Sequence, residues 1–410
     1  MRKRVVFTQD YTSLGMPGSG GVAAACYRAG NYVYVTGQTA FTLDGKLVGV
    51  GDAAAQARQA MENIKTLMEM AGGSVADVVK LVVYATSSSH RAAAQPIIRG
   101  YYPEVLPCQT SSVMKGLGRE ELLVEIDAWG FIDDARTKKQ LIYAHDDGRT
   151  AAAGSGGRVA DCYRAGNLVA LRSQGGWTLE GKAVNVADPA AQARQAMENI
   201  KALMAMAGGG LPDVARTIYA VTERHNRHTA YPAVGAFFHP GPLPAGTGLI
   251  VNGLAHPESL IEIDTWGWID SPEAKKRVIR THDLGPAGMP GNPGGQAVQC
   301  CRAGNWVFIQ GQVGWTLDAR VVAVGDPAAQ ARQAMENIKT LMEMAGGKLS
   351  DLVRLVVYVT DRDVRKSTYP VVRQFVGDLW PCGTGVVVKG LAREEFLIEI
   401  DAYGFIDDPN

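Results

Sequence analysis

Charge of one sign is what this 410-residue chain lacks: 41 lysines and arginines are matched by 41 aspartates and glutamates. With no net charge and no long basic run, there is no electrostatic footprint for nucleic acid or an anionic membrane, and neither is expected as a partner. Long apolar runs are missing too. No window approaches about eighteen uninterrupted apolar residues, and the basic opening MRKRVVFTQD has no apolar stretch behind it, so a soluble, cytoplasmic chain is expected. Cysteine is scarce. Cys26, Cys108, Cys162, Cys300, Cys301 and Cys382 are too few for a disulfide scaffold and form no C-x-x-C pair of the zinc or redox kind. His225 and His228 stand three apart, with His239 and His256 further on, but this spacing occurs once and lacks a carboxylate partner. Neither a metal nor a cofactor is expected.

What the chain has is repetition. AAQARQAMENIKTLMEMAGG runs from Ala54 to Gly73 and again from Ala328 to Gly347; Ala190 to Gly209 differs only at Ala202 and Ala205. CYRAGN at Cys26 returns at Cys162 and, as CCRAGN, at Cys300. LVEIDAWGFID at Leu123 returns as LIEIDTWGWID at Leu260 and LIEIDAYGFID at Leu397. The period of about 137 residues divides the chain into three copies, 1–136, 137–272 and 273–410, with boundaries in the polar stretches DDARTKK and DSPEAKK.

Each copy reads as mixed α and β. Met61, Ile64, Leu67, Met68 and Ala71 fall at helical spacing before a Gly-Gly stop, which predicts an amphipathic helix on a sheet. YVYVTGQ, KLVVYAT, TSSVMKG and LLVEIDAWG read as short strands, and a second helix is predicted between Ser88 and Tyr102. The order is then β-β-α-β-α-β-β, with one apolar sheet face left for the copies to cover against one another, as subunits of a closed ring do.

The blocks AGNYVYVTGQ, QARQAMENIKTLMEMAGG, DVVKLVVYAT, a P-x-x-T stretch before a strand, and VEIDA resemble, over nearly the whole of every copy, the Rid family of YjgF-like reactive-intermediate deaminases. The resemblance implies a chorismate-mutase-like α/β (α+β) fold, a trimer with sheets inside, helices outside and a pocket at each interface. Here that trimer is fused into one chain, and a monomer with internal pseudo-threefold symmetry is expected. Family deaminases hydrolyse enamines and imines of amino acids, and an arginine in P-x-R-[ST] clamps the substrate carboxylate. This chain departs from that pattern: the motif reads PCQT, PAGT and PCGT, with Gln109, Gly246 and Gly383 in place of the arginine. The tyrosine of the family's PYSQA is also missing; Ala23, Val159 and Ala297 stand there.

The carboxylate that positions water in the family carries over as Glu125, Glu262 and Glu399, the candidate catalytic residues. Residues two and four apart on a strand share a face, so Glu125, Asp127 and Trp129 line up, as do their counterparts. Candidate substrate-binding residues are Gln38, Gln174 and Gln312 at the end of the G-Q strand; Gln109, Thr110, Thr247 and Thr384 of the P-x-x-T stretch; and Trp177 and Trp315, suited to stacking on a planar substrate. Arg172, where the other copies have Thr36 and Gln310, is a candidate replacement for the lost positive charge in one pocket. The recurrent Cys26, Cys162 and Cys300 have no recurrent histidine beside them and read as buried hydrophobes.

Three functional readings follow. The first is a divergent Rid-type enzyme that hydrolyses or tautomerises an imine or enamine intermediate. The second is a small-molecule binding or sensing protein without turnover. The third, a ring-opening amidohydrolase built from three repeats, ranks last: it requires a Ser–Lys pair per repeat, yet Lys115 and Lys389 become Asn252 in the second copy. The endoribonuclease label attached to the family is disfavoured by the balanced charge.

Overall fold

The computed structural model describes residues 2–18, 20–146, 157–184, 186–285 and 295–408. In the first copy the elements are β1 (Lys3–Asp10), β2 (Val22–Ala29), β3 (Tyr32–Gln38), α1 (Ala53–Met70), β4 (Val78–Ala85), α2 (Ser88–Gly100), β5 (Val105–Leu106), β6 (Cys108–Val113) and β7 (Val124–Phe131). The sheet runs β1-β2-β3-β7-β4-β6, antiparallel except for the parallel pair β4 and β6. The other copies repeat this plan. Among the described residues there are three sheets and six α-helices.

Three strands precede the first helix, where hydrophobic patterning predicts two. β1 is an edge strand, half exposed and charged at both ends, so its residues carry little apolar signal; pairing with β2 from Lys3↔Ala29 to Asp10↔Val22 makes it a strand.

α1 starts where the Asp52 carboxylate accepts the amides of Ala54 and Ala55, both at 3.0 Å, and ends before Gly72 at φ +89°. Its apolar stripe, Ala57, Met61, Ile64, Leu67 and Met68, is buried against Val33, Val35, Leu81, Val83, Ile126 and Ala128. Burying each large side chain contributes about 1.5–3 kcal/mol before conformational entropy is subtracted. Two buried polar residues on the helix tie down loops. Gln56 bonds the Glu121 carbonyl and the Leu123 amide, and Asn63 donates to the Phe41 carbonyl. Gln192 with Asn199 and Gln330 with Asn337 do the same in the other copies, so one helix both closes a core and fixes the loops beside a site.

The opposite sheet faces meet one another. Trp129 lies 4.7 Å from Trp266, 5.5 Å from Trp306 and 5.7 Å from Tyr403, ring centre to ring centre. Beside these rings, buried ion pairs run cyclically from copy to copy: Lys80 to Asp264, Arg216 to Asp401 at 2.6 Å, and Arg354 to Asp127. Backbone pairing follows the same cycle. β5 of the first copy adds to Arg158–Ala165, Leu243 bridges Ala297, and Leu379–Trp380 adds to β2. Sheets lie inside and helices outside.

Ala323 adopts φ +54° where the first copy has Gly49 at φ +64°. An L-residue with a Cβ is strained there. Ala323→Gly is expected to stabilise the fold by roughly 0.5–1 kcal/mol, seen as a higher Tm; a lower Tm would mean the methyl group helps more than the backbone suffers.

Candidate functional site: three unequal cavities between copies

Alternation along β7 sends Ile126 and Ala128 to α1 and sends Glu125, Asp127 and Trp129 to the neighbouring copies. Trp129 reaches the aromatic centre and Asp127 the ion pairs, while Glu125 stops at a cavity between copies. Glu262 and Glu399 do the same, giving three interface cavities, each with one glutamate.

The cavities differ. That between copies one and two measures about 260 Å³, with Arg91, Gln95 and Gln109 from the first copy facing Arg172, Trp177 and Glu262 from the second. The cavity holding Glu125, between copies three and one, measures about 80 Å³, and that holding Glu399, between copies two and three, about 60 Å³. Side-chain size explains this. Tyr369 crowds Gly385 in the second cavity and Tyr231 crowds Gly248 in the third, where the first has the smaller, polar Gln95 and Ser111. Leu14 and Leu284 fill further space in the two small cavities.

The glutamates are held differently. Glu125 and Glu399 lie so close over the backbone that a Cβ on Gly37 or Gly311 would come within 2.0 Å of a carboxylate oxygen. Ser173 occupies that position in the second copy and donates to Glu262 Oε2 at 2.9 Å, while the Ala255 amide donates to Oε1 at 3.0 Å. Burial raises all three carboxyls. Glu125 and Glu399 are pushed up to about 8, first by desolvation and then by the neighbouring Asp127 or Asp401. At Glu262, desolvation is opposed by Ser173, the Ala255 amide, Arg172 and Arg91, all of which favour the ionised form.

A stability effect follows. A carboxyl raised from the usual 4.5 to about 8 favours the fold fully below 4.5, and that contribution is lost as pH rises through 8. The Glu125→Gln/Glu399→Gln variant, with neutral isosteres, should lose less Tm between pH 5 and pH 8 than the unaltered chain. Equal slopes would mean that these carboxyls titrate alike folded and unfolded.

The remaining sequence-predicted residues divide between cavity and scaffold. Gln109 lines the large cavity, donating to Gln95 at 2.8 Å and to Ser111 at 2.7 Å. Trp177 lines it too, 4.8 Å from the ring of His256, and Trp315 lines the small Glu399 cavity, buried against His282 and Phe396. Arg172 is in the same cavity, its Nε donating to Asp161 at 2.6 Å, and the other Asp161 oxygen meets His145. Gln38 and Gln174 reach the first two cavities. Their side-chain amides donate to the carbonyls of Thr36 and Arg172, as that of Gln312 does to Gln310, and Gln174 and Gln312 accept from Asn199 and Asn337. Thr247 and Thr384 line the small cavities but bond Asp401 and Asp127, so they brace the ion pairs. Thr110 borders a void of about 20 Å³ behind Glu262. Cys26, Cys162 and Cys300 are buried, and desolvation raises their thiols. Among the described residues no group of three or more His, Cys, Asp or Glu gathers as metal ligands.

Sequence reasoning missed one recurrent arginine. Arg91, Arg227 and Arg365 occupy the same place on the second helix of each copy, five residues before Pro96, Pro232 and Pro370, and each lines a cavity opposite the next copy's glutamate. The recurring R-x-x-x-x-P was the available signal.

A mixed α/β unit repeated three times, with a glutamate-bearing cavity at each junction, is the class of protein defined here. The family model described as Endoribonuclease L-PSP matches residues 22–132, 151–268 and 292–406, and the chain belongs to that family. A RutC family protein of Pyrococcus horikoshii is 34% identical over 130 residues, 32% of this chain and 98% of that protein. The crystal structure of RidA from the Antarctic bacterium Psychrobacter sp. is 32% identical, covering 27% of this chain and 87% of that one with a TM-score of 0.25. A chorismatase crystal structure is 16% identical and covers 80% of this chain and 93% of its own, with a TM-score of 0.48. No helix among the described residues is long and apolar enough to cross a membrane.

Proposed function

We propose that the chain hydrolyses an imine, or an enamine after tautomerisation, in the cavity between the first and second copies, with Glu262 as the general base. The observation that carries this reading is Glu262 itself: a buried carboxyl with raised pKa, fixed by Ser173 and the Ala255 amide, at the wall of the roomiest of the three interface cavities. A raised carboxyl can take a proton at one step and return it at the next. Glu262 accepts a proton from water as the oxygen attacks the C=N carbon and delivers it to nitrogen, giving a carbinolamine. It then takes the hydroxyl proton as the carbonyl forms and returns it to nitrogen as the C–N bond breaks. Imine and water become ketone or keto acid and ammonia, and the carboxylate is regenerated. Arg172, held by Asp161, adds positive charge to the cavity wall.

Glu125 and Glu399 do not carry the reaction in this reading. Cavities of about 80 and 60 Å³ fall well below the roughly 300 Å³ at which ligand pockets begin, whereas about 260 Å³ approaches it. The other two junctions are structural, and the three-copy chain works alone as a pseudo-trimer. The test is ammonia release by the intact chain from freshly generated amino-acid imines carrying a range of side chains. Release no faster than the uncatalysed rate across the whole range would remove this reading.

A further inference from the structure

The three equivalent arginines of the second helices have different surroundings. Arg227 donates to the Ala392 carbonyl, and its guanidinium lies 4.7 Å from the centre of the Tyr231 ring. Arg365 donates to Pro17 at 3.4 Å and to Gly385 at 2.9 Å, 4.2 Å from the Tyr369 ring. Both are buried, each with a carbonyl acceptor and a tyrosine ring against its guanidinium, although the Arg227 Nε is itself without a partner. Arg91 has Gln95 where they have tyrosine. Among the described residues its side chain makes no hydrogen bond or salt bridge, and its Nε is buried without a partner.

An arginine partly withdrawn from water and left without an acceptor is costly unless something else supplies one. Arg172, across the cavity, is already paired with Asp161, which offsets part of its charge. Arg91 is thus the cation best able to gain from a ligand's negative charge. Around it the cavity offers amide and hydroxyl groups at Gln95, Gln109 and Ser111, and an aromatic wall at Trp177 beside His256.

We infer that Arg91 is the anion anchor of this one cavity, and that its ligand is a carboxylate carrying a flat apolar group that rests against Trp177. This deepens the proposed reaction, since it names the substrate class, but it is tested without turnover. A guanidinium on a second-helix position of one copy thus does the work of the arginine absent from the P-x-x-T stretch, and does it at one junction of three.

The experiment compares two unreactive probes of nearly the same shape, phenylacetate and phenylacetamide, binding to the intact chain, measured by calorimetry. Phenylacetate is expected to bind tighter than phenylacetamide, and Arg91→Met to weaken phenylacetate about 30-fold while changing phenylacetamide by less than about twofold. Arg91→Lys should recover part of the loss, because an ammonium keeps the charge but not the two-pronged geometry. Trp177→Ala should weaken both probes alike. Among the described residues Arg91 makes no hydrogen bond or ion pair, so its Met variant should change the Tm little, losing only the attraction of the guanidinium for Glu262. The inference is overturned if phenylacetate binds no better than the amide, if Arg91→Met weakens both probes equally, or if Trp177→Ala changes neither. Failure here with ammonia release intact would leave Glu262's role standing and remove only Arg91's.

Discussion

Glu262→Gln is expected to lower kcat for imine hydrolysis by about 100-fold or more, while Glu125→Gln and Glu399→Gln each leave it within roughly twofold. Glutamine keeps the shape and one oxygen for the Ser173 hydroxyl to donate to, so the cavity survives and only proton transfer is lost. The three-way comparison matters more than the single loss. The glutamates lie on equivalent strands in near-identical motifs, so if the motif alone sufficed, each variant would remove about a third of the activity. The pH profile separates the cases further. The base works ionised and burial raises its pKa, so the rate should rise with pH along a limb lying above the usual 4.5, and Glu262→Gln should lack that limb. Equal losses in all three variants would sink the single-cavity reading; an unchanged rate in Glu262→Gln would sink the mechanism.

The sequence states the fold clearly because repetition multiplies its signals. The α1 stripe and the Glu-x-Asp-x-Trp alternation of β7 appear three times, and periods of 3.6 and 2 assign helix and inward strand face. β1 escaped because an edge strand buries little and needs little apolar content. The inequality of the cavities escaped for another reason. Each cavity is bounded by two copies, so its volume depends on pairs far apart in the chain: Ser111 with Ser173, Gly248 with Gly311, Gly385 with Gly37. Nothing local to Gln95 says that it stands where two tyrosines shut the other cavities. Arg172 was visible as an oddity, yet the Asp161 that holds it lies eleven residues earlier on the adjoining strand, with the Arg172 amide bonded to the Asp161 carbonyl. A family motif with its arginine gone directs attention to the empty place, whereas Arg91 arrives from a different element.

The second large effect is expected at the centre. Arg216→Met should destabilise the chain by roughly 3–5 kcal/mol, read as a fall in Tm of roughly 3–6 °C, because Asp401 is left fully buried without its countercharge. Arg216→Met/Asp401→Leu should recover most of that loss, since two well-packed apolar side chains avoid the desolvation cost that the ion pair must offset. The pair joins copies two and three, as Lys80 with Asp264 joins one and two and Arg354 with Asp127 joins three and one. These bonds therefore set how the copies sit around their common axis, and the cavities are the spaces that this setting leaves. Asp401 also raises the Glu399 carboxyl above it on the same strand. Removing both charges takes away the larger raising effect of Asp401 together with the smaller lowering effect of Arg216, so the Glu399 carboxyl should move down only slightly while the Tm is restored. A carbon-13 NMR titration of the glutamate carboxyls would follow this directly. A single variant as stable as the unaltered chain would show that this ion pair contributes nothing to holding the junction, and a double variant no better than the single would show that apolar packing cannot replace it.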